Sequence, residues 1–276
     1  MTILPIVNLI PALLGRVSSI LPLLARKAER RRKLPDYVNS CMLHTGRCGS
    51  QVLADMLRQH PHIKWYNEIF ENFDRHYPRL KRRENRTEAC LKINMATCQN
   101  KVFGFETKFL PEQQLRARWI GLPLRSYILL LQKIGFTRFI LLRRNNYLRR
   151  AASVLIGQQT KTWRITKNAK SVTRVRINPE AFPVGNAVKP LLTHFRELDE
   201  NYATAANMLR DSTLLELEYE KHILANPAVA YRMSCEFLDV EPLTDSVKIR
   251  SRKINPFPLE LMIENYSEIT SILTGT

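Results

Sequence analysis

The hydrophobic positions of the chain form short apolar runs that alternate with longer segments of helical periodicity. The runs predict buried strands, at Tyr37–Leu43, Lys101–Glu106, Arg138–Leu142 and Thr213–Glu218. The periodic segments predict helices, at Ser50–Gln59, about Asn146–Gln158, Pro190–Leu209 and Pro227–Leu238. Strands separated by helices indicate an α/β fold with a central parallel sheet flanked by helices, in which ligands bind at the carboxyl ends of the strands.

The first 34 residues differ in character from the rest of the chain. The stretch Met1–Gly15 is uncharged, but it is shorter than the roughly 20 residues of a membrane-spanning helix, and prolines interrupt it. The basic run Arg26–Lys33 follows and would suit an anionic membrane surface. The sequence therefore predicts an apolar and basic segment over residues 1–34, which either contacts a membrane peripherally through residues 1–33 or docks on the protein's own core, followed by one domain over residues 35–276.

The composition is strongly basic. The 276 residues include 43 Lys and Arg against 25 Asp and Glu, a formal net charge of +18, and 45% of them are hydrophobic, which is enough for one large core. Such a charge indicates an anionic partner: nucleic acid, a membrane surface, or a phosphorylated or sulfated ligand. The sequence contains no helix-turn-helix, zinc-finger or aromatic RNP pattern, so no specific nucleic acid is predicted. A basic protein that binds nucleic acid or anionic membranes without catalysis remains the alternative.

The five cysteines point to a reducing compartment. Their number is odd, and no two of them have C-x-x-C spacing. Neither a disulfide framework nor a zinc site is expected from this pattern. The sequence therefore predicts a cytoplasmic protein, with membrane association through its N-terminal segment as the open addition.

The stretch "CMLHTGRCGS", residues 41–50, lies where the first strand turns into the first helix. A glycine-rich turn of this kind directs backbone N–H groups and the positive end of a helix at one point, which makes an anion site. Gly46 and Gly49 permit the tight backbone, Arg47 can add a bidentate positive charge, and Ser50 can offer a hydroxyl. No lysine follows Gly49 and no magnesium ligand is evident, so this is not the loop of a nucleoside triphosphatase. The same absence argues against a nucleotide kinase-like phosphotransferase, a rival that tight binding of magnesium-ATP would revive.

The longer stretch "TGRCGSQVLADMLRQHPHIKWYNEIF" resembles the first nucleotide motif of the sulfotransferase family. In that family the loop R-[ST]-G-[ST]-T holds the 5′-phosphosulfate of 3′-phosphoadenosine-5′-phosphosulfate and is followed by His-Pro and Glu-x-Phe. The corresponding loop here is Arg47, Cys48, Gly49, Ser50 and Gln51. The loop departs from the family pattern at two positions, Cys48 and Gln51. They leave open a protein that binds the donor without turning it over.

The stretch "FILLRRNNYLRRAASVLIGQQTKTW", residues 139–163, resembles the 3′-phosphate motif of the same family. The resemblance implies that Arg143 or Arg144 acts with Ser153 on the 3′-phosphate, and the choice between the two arginines stays open. Arg149 and Arg150 are expected on a solvated helix face.

The resemblance continues through "LLELEYEKHILANPAVAYRMSCEFLDVEP" and "RKINPFPLELMIENYSEI", and it covers about residues 38–275. In relatives a basic pair, here Arg252 and Lys253, closes over the 3′-phosphate, although the usual following glycine is absent. Within the family, these motifs most resemble those of bacterial carbohydrate sulfotransferases of the trehalose and nodulation-factor type.

The resemblance implies a sulfotransferase fold of the P-loop nucleotide-hydrolase type and a metal-free reaction that leaves adenosine 3′,5′-bisphosphate. Arg47 would stabilise the leaving group, Glu68 would be the general base, and Lys108 would contact the bridging oxygen or the acceptor. The acceptor would be a hydroxyl of a carbohydrate or glycolipid, selected by loops at about residues 71–100 and 164–190.

Histidines and tryptophans offer alternatives to these assignments. His44, His60 or His62 could replace the glutamate as base, although His44 could touch phosphate instead and His60 is expected to be structural. Trp65 and Trp163 could stack on adenine or on a sugar ring, but core packing is the expectation for both.

Overall fold

The computed structural model describes residues 38–70, 83–98, 100–115, 120–164, 171–243, 247–250 and 256–275. The predicted N-terminal segment 1–34 with its boundary at residue 35, and the predicted basic pair Arg252 and Lys253, lie outside these residues. Within the described residues, no helix is long and apolar enough to cross a membrane.

The described part of the chain contains seven strands and eight helices. The strands are β1 Asn39–His44, β2 Ile63–Tyr66, β3 Val102–Lys108, β4 Phe136–Arg143, β5 Phe182–Val184, β6 Ala187–Lys189 and β7 Thr213–Glu218. The helices are α1 Ser50–Leu57, α2 Arg83–Ala96, α3 Leu124–Lys133, α4 Tyr147–Thr160, α5 Leu191–Met208, α6 Pro227–Phe237, α7 Leu259–Met262 and α8 Tyr266–Thr274. Two short π-helical turns, Pro111–Leu115 and Tyr219–Leu224, follow β3 and β7.

Five of the strands form one parallel sheet in the order β2-β3-β1-β4-β7, and β5 and β6 form a separate antiparallel hairpin. From β1 the chain first builds β2 and β3 on one side and then places β4 and β7 on the other. The connections that leave β1 and β4 therefore diverge, and such a switch point opens a crevice at the carboxyl edge of the sheet. The predicted α/β architecture is confirmed.

Alternate residues of the central strands fill a core on each face of the sheet. On one face, Cys41 and Phe105 pack in a cluster that includes Tyr127 of α3. On the other face, Met42 packs in a cluster that includes Leu53 of α1. Because the side chains of a strand alternate between faces, helices are needed on both sides to bury them. This requirement fixes α1, and with it the loop before α1, against the carboxyl end of β1.

The four predicted strands and four predicted helices are all present in the described residues, with small shifts at their ends. The first strand runs from Asn39 to His44, and Tyr37, at which it was predicted to begin, lies outside the described residues. The strand predicted at 101–106 runs instead to Lys108. The prediction of a loop over residues 71–100 was wrong for part of its length, because α2 occupies Arg83–Ala96.

Candidate active site

The loop between β1 and α1 has an unusual backbone. Three of its residues have positive φ: 79° at Gly46, 58° at Arg47 and 88° at Gly49. A Cβ on Gly49 would lie only 2.7 Å from the ring of Tyr219, so this position requires glycine for space as well as for conformation. The Gly49 carbonyl accepts from Val52 N–H at 3.0 Å and begins α1. The loop therefore passes directly from the end of β1 to a helix N-terminus.

The Arg47 side chain connects this loop to the middle of α4 and to the residues that follow that helix. Its Nε donates to Ser153 Oγ at 2.9 Å, and its Nη1 donates to the Trp163 carbonyl at 2.9 Å. Its guanidinium carbon lies 5.9 Å from the centre of the Trp163 ring. The structure thus brings together residues from the two segments in which sequence analysis found separate phosphate motifs.

The two consecutive arginines after β4 have different surroundings. Arg144 lies at the loop: its Nη1 donates to the Arg47 carbonyl at 2.8 Å, and its guanidinium carbon is 4.5 Å from the centre of the Tyr219 ring. Arg143 turns the other way and contacts Tyr147 and Asp199. Of the two candidates left open by the sequence, Arg144 is therefore the one beside the loop.

Arg150 was expected on a solvated helix face, and this expectation was wrong. The side chain is buried, and it donates to two loop carbonyls, Thr45 at 2.7 Å and Gly46 at 3.2 Å. Its Nη1 also lies 3.1 Å from His194 Nε2. Arg149 is partly buried and donates to the Phe257 carbonyl at 2.8 Å. Arg150, on the inner side of α4, therefore supports the loop with its charged side chain.

Three guanidinium groups consequently surround one loop. Burial lowers the pKa of Arg47 to about 10, and the positive charge of Arg144 is the next cause. Burial is also the main cause of the lowered pKa values of Arg144 and Arg150. Among the described residues, the buried Nε of Arg144 makes no hydrogen bond, and Glu220 Oε1 lies 3.8 Å from it as an ion-pair partner. Three like charges this close together, two of them buried, form a site that an anion would stabilise, and it fits the phosphates of a nucleotide donor.

Glu68 and Lys108 form an ion pair next to the loop. Lys108 Nζ lies 2.5 Å from Glu68 Oε1, and both side chains are partly exposed. Lys108 ends β3 and stands opposite His44 of β1 in the sheet. A Cβ on Gly46 would lie 3.4 Å from Lys108 Cε, so the lysine stem runs beside the loop. The pair thus combines a carboxylate and an ammonium group within reach of the anion site.

The sequence had allowed His44 to act as the base or to contact phosphate, but its side chain does not reach the outer side of the loop. It is buried, and its Nδ1 accepts from Gly46 N–H at 3.0 Å. This bond places the ring proton on Nε2, which lies 3.5 Å from Glu106 Oε2. Burial, followed by the charge of Lys108, lowers the pKa of His44 to about 3. His44 is therefore a neutral support beneath the loop.

Glu106 is a residue that sequence reasoning missed. It is buried in the middle of β3, between Phe105 and Thr107, and its side chain hydrogen-bonds with Ser50 at the start of α1. Burial, and next the charge of Glu68, raises its pKa to about 7. The one available signal was a carboxylate inside an otherwise apolar strand, where an isolated charge is costly.

The remaining histidine alternatives have ordinary roles. His60 is buried, its Nε2 lies 2.9 Å from the Glu241 carbonyl, and its Nδ1 accepts from His62 N–H at 3.1 Å. The structural role expected for His60 is confirmed. His62 is exposed.

The two departures from the family loop face away from its outer side. Cys48 is buried in the core below the loop, and burial raises its pKa to about 11. The side-chain amide of Gln51 donates to Asp55 Oδ1 at 3.1 Å and accepts from Asn67 at 3.3 Å. Both ends of this amide are therefore bonded to residues in the wall of the site. All five cysteines are buried and free. At Cys48 and Gln51 the loop thus offers its backbone, not these side chains.

The two candidate stacking tryptophans differ. Trp65 is buried in the core as expected. The same expectation was wrong for Trp163, which is 51% exposed above Arg47. A Cβ on Gly157 would lie 2.6 Å from the Trp163 ring, so the glycine allows the ring to lie on α4.

Comparison with known proteins finds similarity among solved structures. No family model matches the chain, and no curated protein matches it. The chain is similar to the crystal structure of a sulfotransferase from Alicyclobacillus acidocaldarius, with a TM-score of 0.45 and 14% sequence identity. The match covers 86% of this chain and 92% of that one. At this identity the similarity is one of structure alone.

Proposed function

We propose that the protein is a sulfotransferase that transfers a sulfuryl group from 3′-phosphoadenosine-5′-phosphosulfate to a hydroxyl of a carbohydrate or glycolipid. The observation that carries this proposal is the hydrogen bond from Arg47 to Ser153. It joins the two sequence segments that resemble the 5′- and 3′-phosphate motifs of one family. The guanidinium cluster around that bond supplies the positive charge that a nucleotide with phosphates at both positions would need.

The arginines and the loop are the donor-binding side of the proposed site. The donor would supply the sulfuryl group and a phosphate leaving group. Arg47, with the backbone N–H groups that begin α1, would hold negative charge at the loop. Arg144 and Ser153 would hold the 3′-phosphate, for which a forked guanidinium is well suited. Arg252 and Lys253 stay predicted partners of that phosphate.

Glu68 and Lys108 are the acceptor side. A carboxylate in this position can accept the proton of an acceptor hydroxyl as that oxygen bonds to sulfur. Lys108 would orient Glu68, because its ammonium lies 2.5 Å from the carboxylate oxygen. Lys108 can also offer a proton or a positive charge to the bridging oxygen of the donor or to the acceptor.

The cytoplasmic location and the membrane contact through residues 1–33 stay predictions.

A nucleotide series tests the proposal on the wild-type protein. Calorimetric titrations would compare adenosine 3′,5′-bisphosphate, adenosine 5′-monophosphate and ATP with magnesium. We expect micromolar binding of the bisphosphate and at least about tenfold weaker binding of the monophosphate, since in the proposed site the 3′-phosphate would accept hydrogen bonds from a charged donor. Binding of magnesium-ATP as tight as the bisphosphate would contradict the proposal. So would no bisphosphate binding together with salt-sensitive binding of DNA, which is the outcome of the nucleic-acid alternative.

A further inference from the structure

A second positively charged site lies along α1, on the side of the loop that carries Glu68. It is an open cavity of about 700 Å³, a volume typical of sites for small molecules. Its lining is polar and consists of three arginines, one aspartate and two amide residues. These are Asp55, Arg58, Gln59, Asn67, Arg164 and Arg250. Counted over these residues, the charges leave an excess of positive charge, which favours an anionic ligand.

The aspartate organises two of the three arginines. Asp55 is 5% exposed, and it pairs with Arg58, directly after the end of α1, and with Arg164, whose Nη2 lies 2.7 Å from Asp55 Oδ2. A buried carboxylate shared in this way holds both guanidiniums in place before any ligand arrives. Arginine clusters fixed in this manner are typical recognition sites for phosphate, sulfate and carboxylate groups.

The cavity is joined to the proposed acceptor side of the active site. Asn67, which precedes Glu68 in the chain, accepts from Arg58 and donates to Gln51. Gln51 in turn belongs to the candidate anion loop and donates to Asp55. None of the three cavity arginines belongs to the guanidinium cluster around Arg47. A molecule with its hydroxyl at Glu68 could therefore extend into the cavity without entering the proposed donor site.

We propose that this cavity binds an anionic group of the acceptor, so that the acceptor is a sugar that carries a carboxylate or a phosphate. The inference rests on the proposed sulfotransferase function and names its substrate class. Arg58 and Arg164 form the fixed floor of the anion site, and the exposed Arg250 completes it from the C-terminal part of the chain.

The test compares sugars that differ only in charge. Glucose, glucuronate and glucose 6-phosphate would be titrated by calorimetry into the full-length protein, with and without saturating adenosine 3′,5′-bisphosphate. We expect at least one charged sugar to bind tenfold or more tightly than glucose. The stronger of the two charged sugars distinguishes a carboxylate from a phosphate site. Equal binding of glucose, or no binding of either charged sugar, would overturn the inference.

Arg250→Glu is the decisive variant, because Arg250 is exposed and its replacement leaves the Asp55 pairs in place. Arg125→Glu is the matched control on α3, away from the cavity lining. We expect Arg250→Glu to weaken binding of the charged sugar at least tenfold and to leave the bisphosphate affinity unchanged. Unchanged sugar binding would overturn the inference, and an equal loss of bisphosphate affinity would show that the cavity holds the donor.

The outcome separates this inference from the function on which it rests. Bisphosphate binding without charged-sugar binding would remove the anionic acceptor and keep the sulfotransferase proposal. Charged-sugar binding that depends on Arg250, without any bisphosphate binding, would keep the anion cavity and remove the sulfotransferase proposal.

Discussion

Arg47 Nε donates a hydrogen bond to Ser153 Oγ at 2.9 Å, although 106 positions separate the two residues in the chain. The bond ties the loop after β1 to α4, which follows β4, the neighbouring strand in the sheet. Because parallel neighbours end at the same edge, the fold brings these two segments together without a long excursion of either. The proposed donor site thus depends on the sheet order as much as on the loop itself.

Removal of the Ser153 hydroxyl should affect the 3′-phosphate of the nucleotide more than the 5′-phosphate. We expect Ser153→Ala to weaken the binding of adenosine 3′,5′-bisphosphate by about 1.5–3 kcal/mol, the range for a hydrogen bond to a charged group. The affinity for adenosine 5′-monophosphate should fall less, since Ser153 acts on the 5′-phosphate only through its hydrogen bond with Arg47. Calorimetry on the variant and on Ser126→Ala, an exposed control on α3, checks this. An equal loss for both nucleotides would contradict the assignment of Ser153 to the 3′-phosphate.

Glu68 should affect transfer and not donor binding. We expect Glu68→Gln to lower kcat for sulfuryl transfer by about 10²–10⁴, the usual contribution of a general base, while the bisphosphate affinity stays the same. The rate would be followed as release of adenosine 3′,5′-bisphosphate from the donor in the presence of each sugar. Glu236→Gln, at an exposed position on α6, is the control. A variant that keeps its full transfer rate would remove Glu68 from the mechanism.

The buried carboxyl of Glu106 should make stability depend on pH. Because its pKa is raised from 4.5 to about 7, the folded protein keeps a proton that the unfolded chain releases in this window. Its stabilising contribution is complete below pH 4.5 and is lost by about pH 7. His44, with its lowered pKa, acts in the opposite direction in an overlapping window. The informative quantity is therefore the difference between wild type and Glu106→Gln.

We expect the free energy of unfolding of Glu106→Gln, relative to wild type, to rise by about 3 kcal/mol between pH 4.5 and pH 7.5. Urea unfolding at several pH values measures this difference. Glu236→Gln should show no such change, since that residue is exposed. A constant difference between Glu106→Gln and wild type across the window would show that Glu106 titrates as an ordinary glutamate.

The packing of Trp65 on Gly104 should be intolerant of any side chain. An added Cβ on Gly104 would lie 2.1 Å from the Trp65 ring, which is buried against β3. We expect Gly104→Ala to lower the free energy of unfolding by about 1–3 kcal/mol, the usual cost of overpacking. The midpoint of urea unfolding measures this. In a Trp65→Leu background the same change should cost less, and an equal cost in both backgrounds would contradict the proposed clash.

The sequence predicted those parts of the fold and site that depend on local pattern. The apolar strands, the periodic helices and the glycine turn at residues 45–50 are recognisable because each is defined by near neighbours in the chain. Strand β2 was missed because it has only four residues, of which Ile63 and Trp65 alone are buried. Helix α2 has a largely polar sequence and therefore a weak apolar period.

The burial of Arg150 could not be predicted, because its partners are loop carbonyls more than a hundred positions away. On a helix, an arginine that faces solvent and one that supports a loop have the same local sequence. The same holds for the choice between Arg143 and Arg144. Asp199, a residue of α5, draws the first of them away from the loop. Long-range polar contacts of this kind leave no period in the sequence.

The most direct test of the central claim is a calorimetric titration of adenosine 3′,5′-bisphosphate into wild type and Arg47→Ala. Alanine keeps a Cβ at the positive φ of this position, so the variant removes the guanidinium and little else. Arg125→Ala, an exposed arginine on α3, is the control for loss of one positive charge. We predict micromolar binding to wild type and to the control, and binding at least about tenfold weaker to Arg47→Ala. Equal affinity in all three proteins, or no binding to wild type, would contradict the proposed donor site.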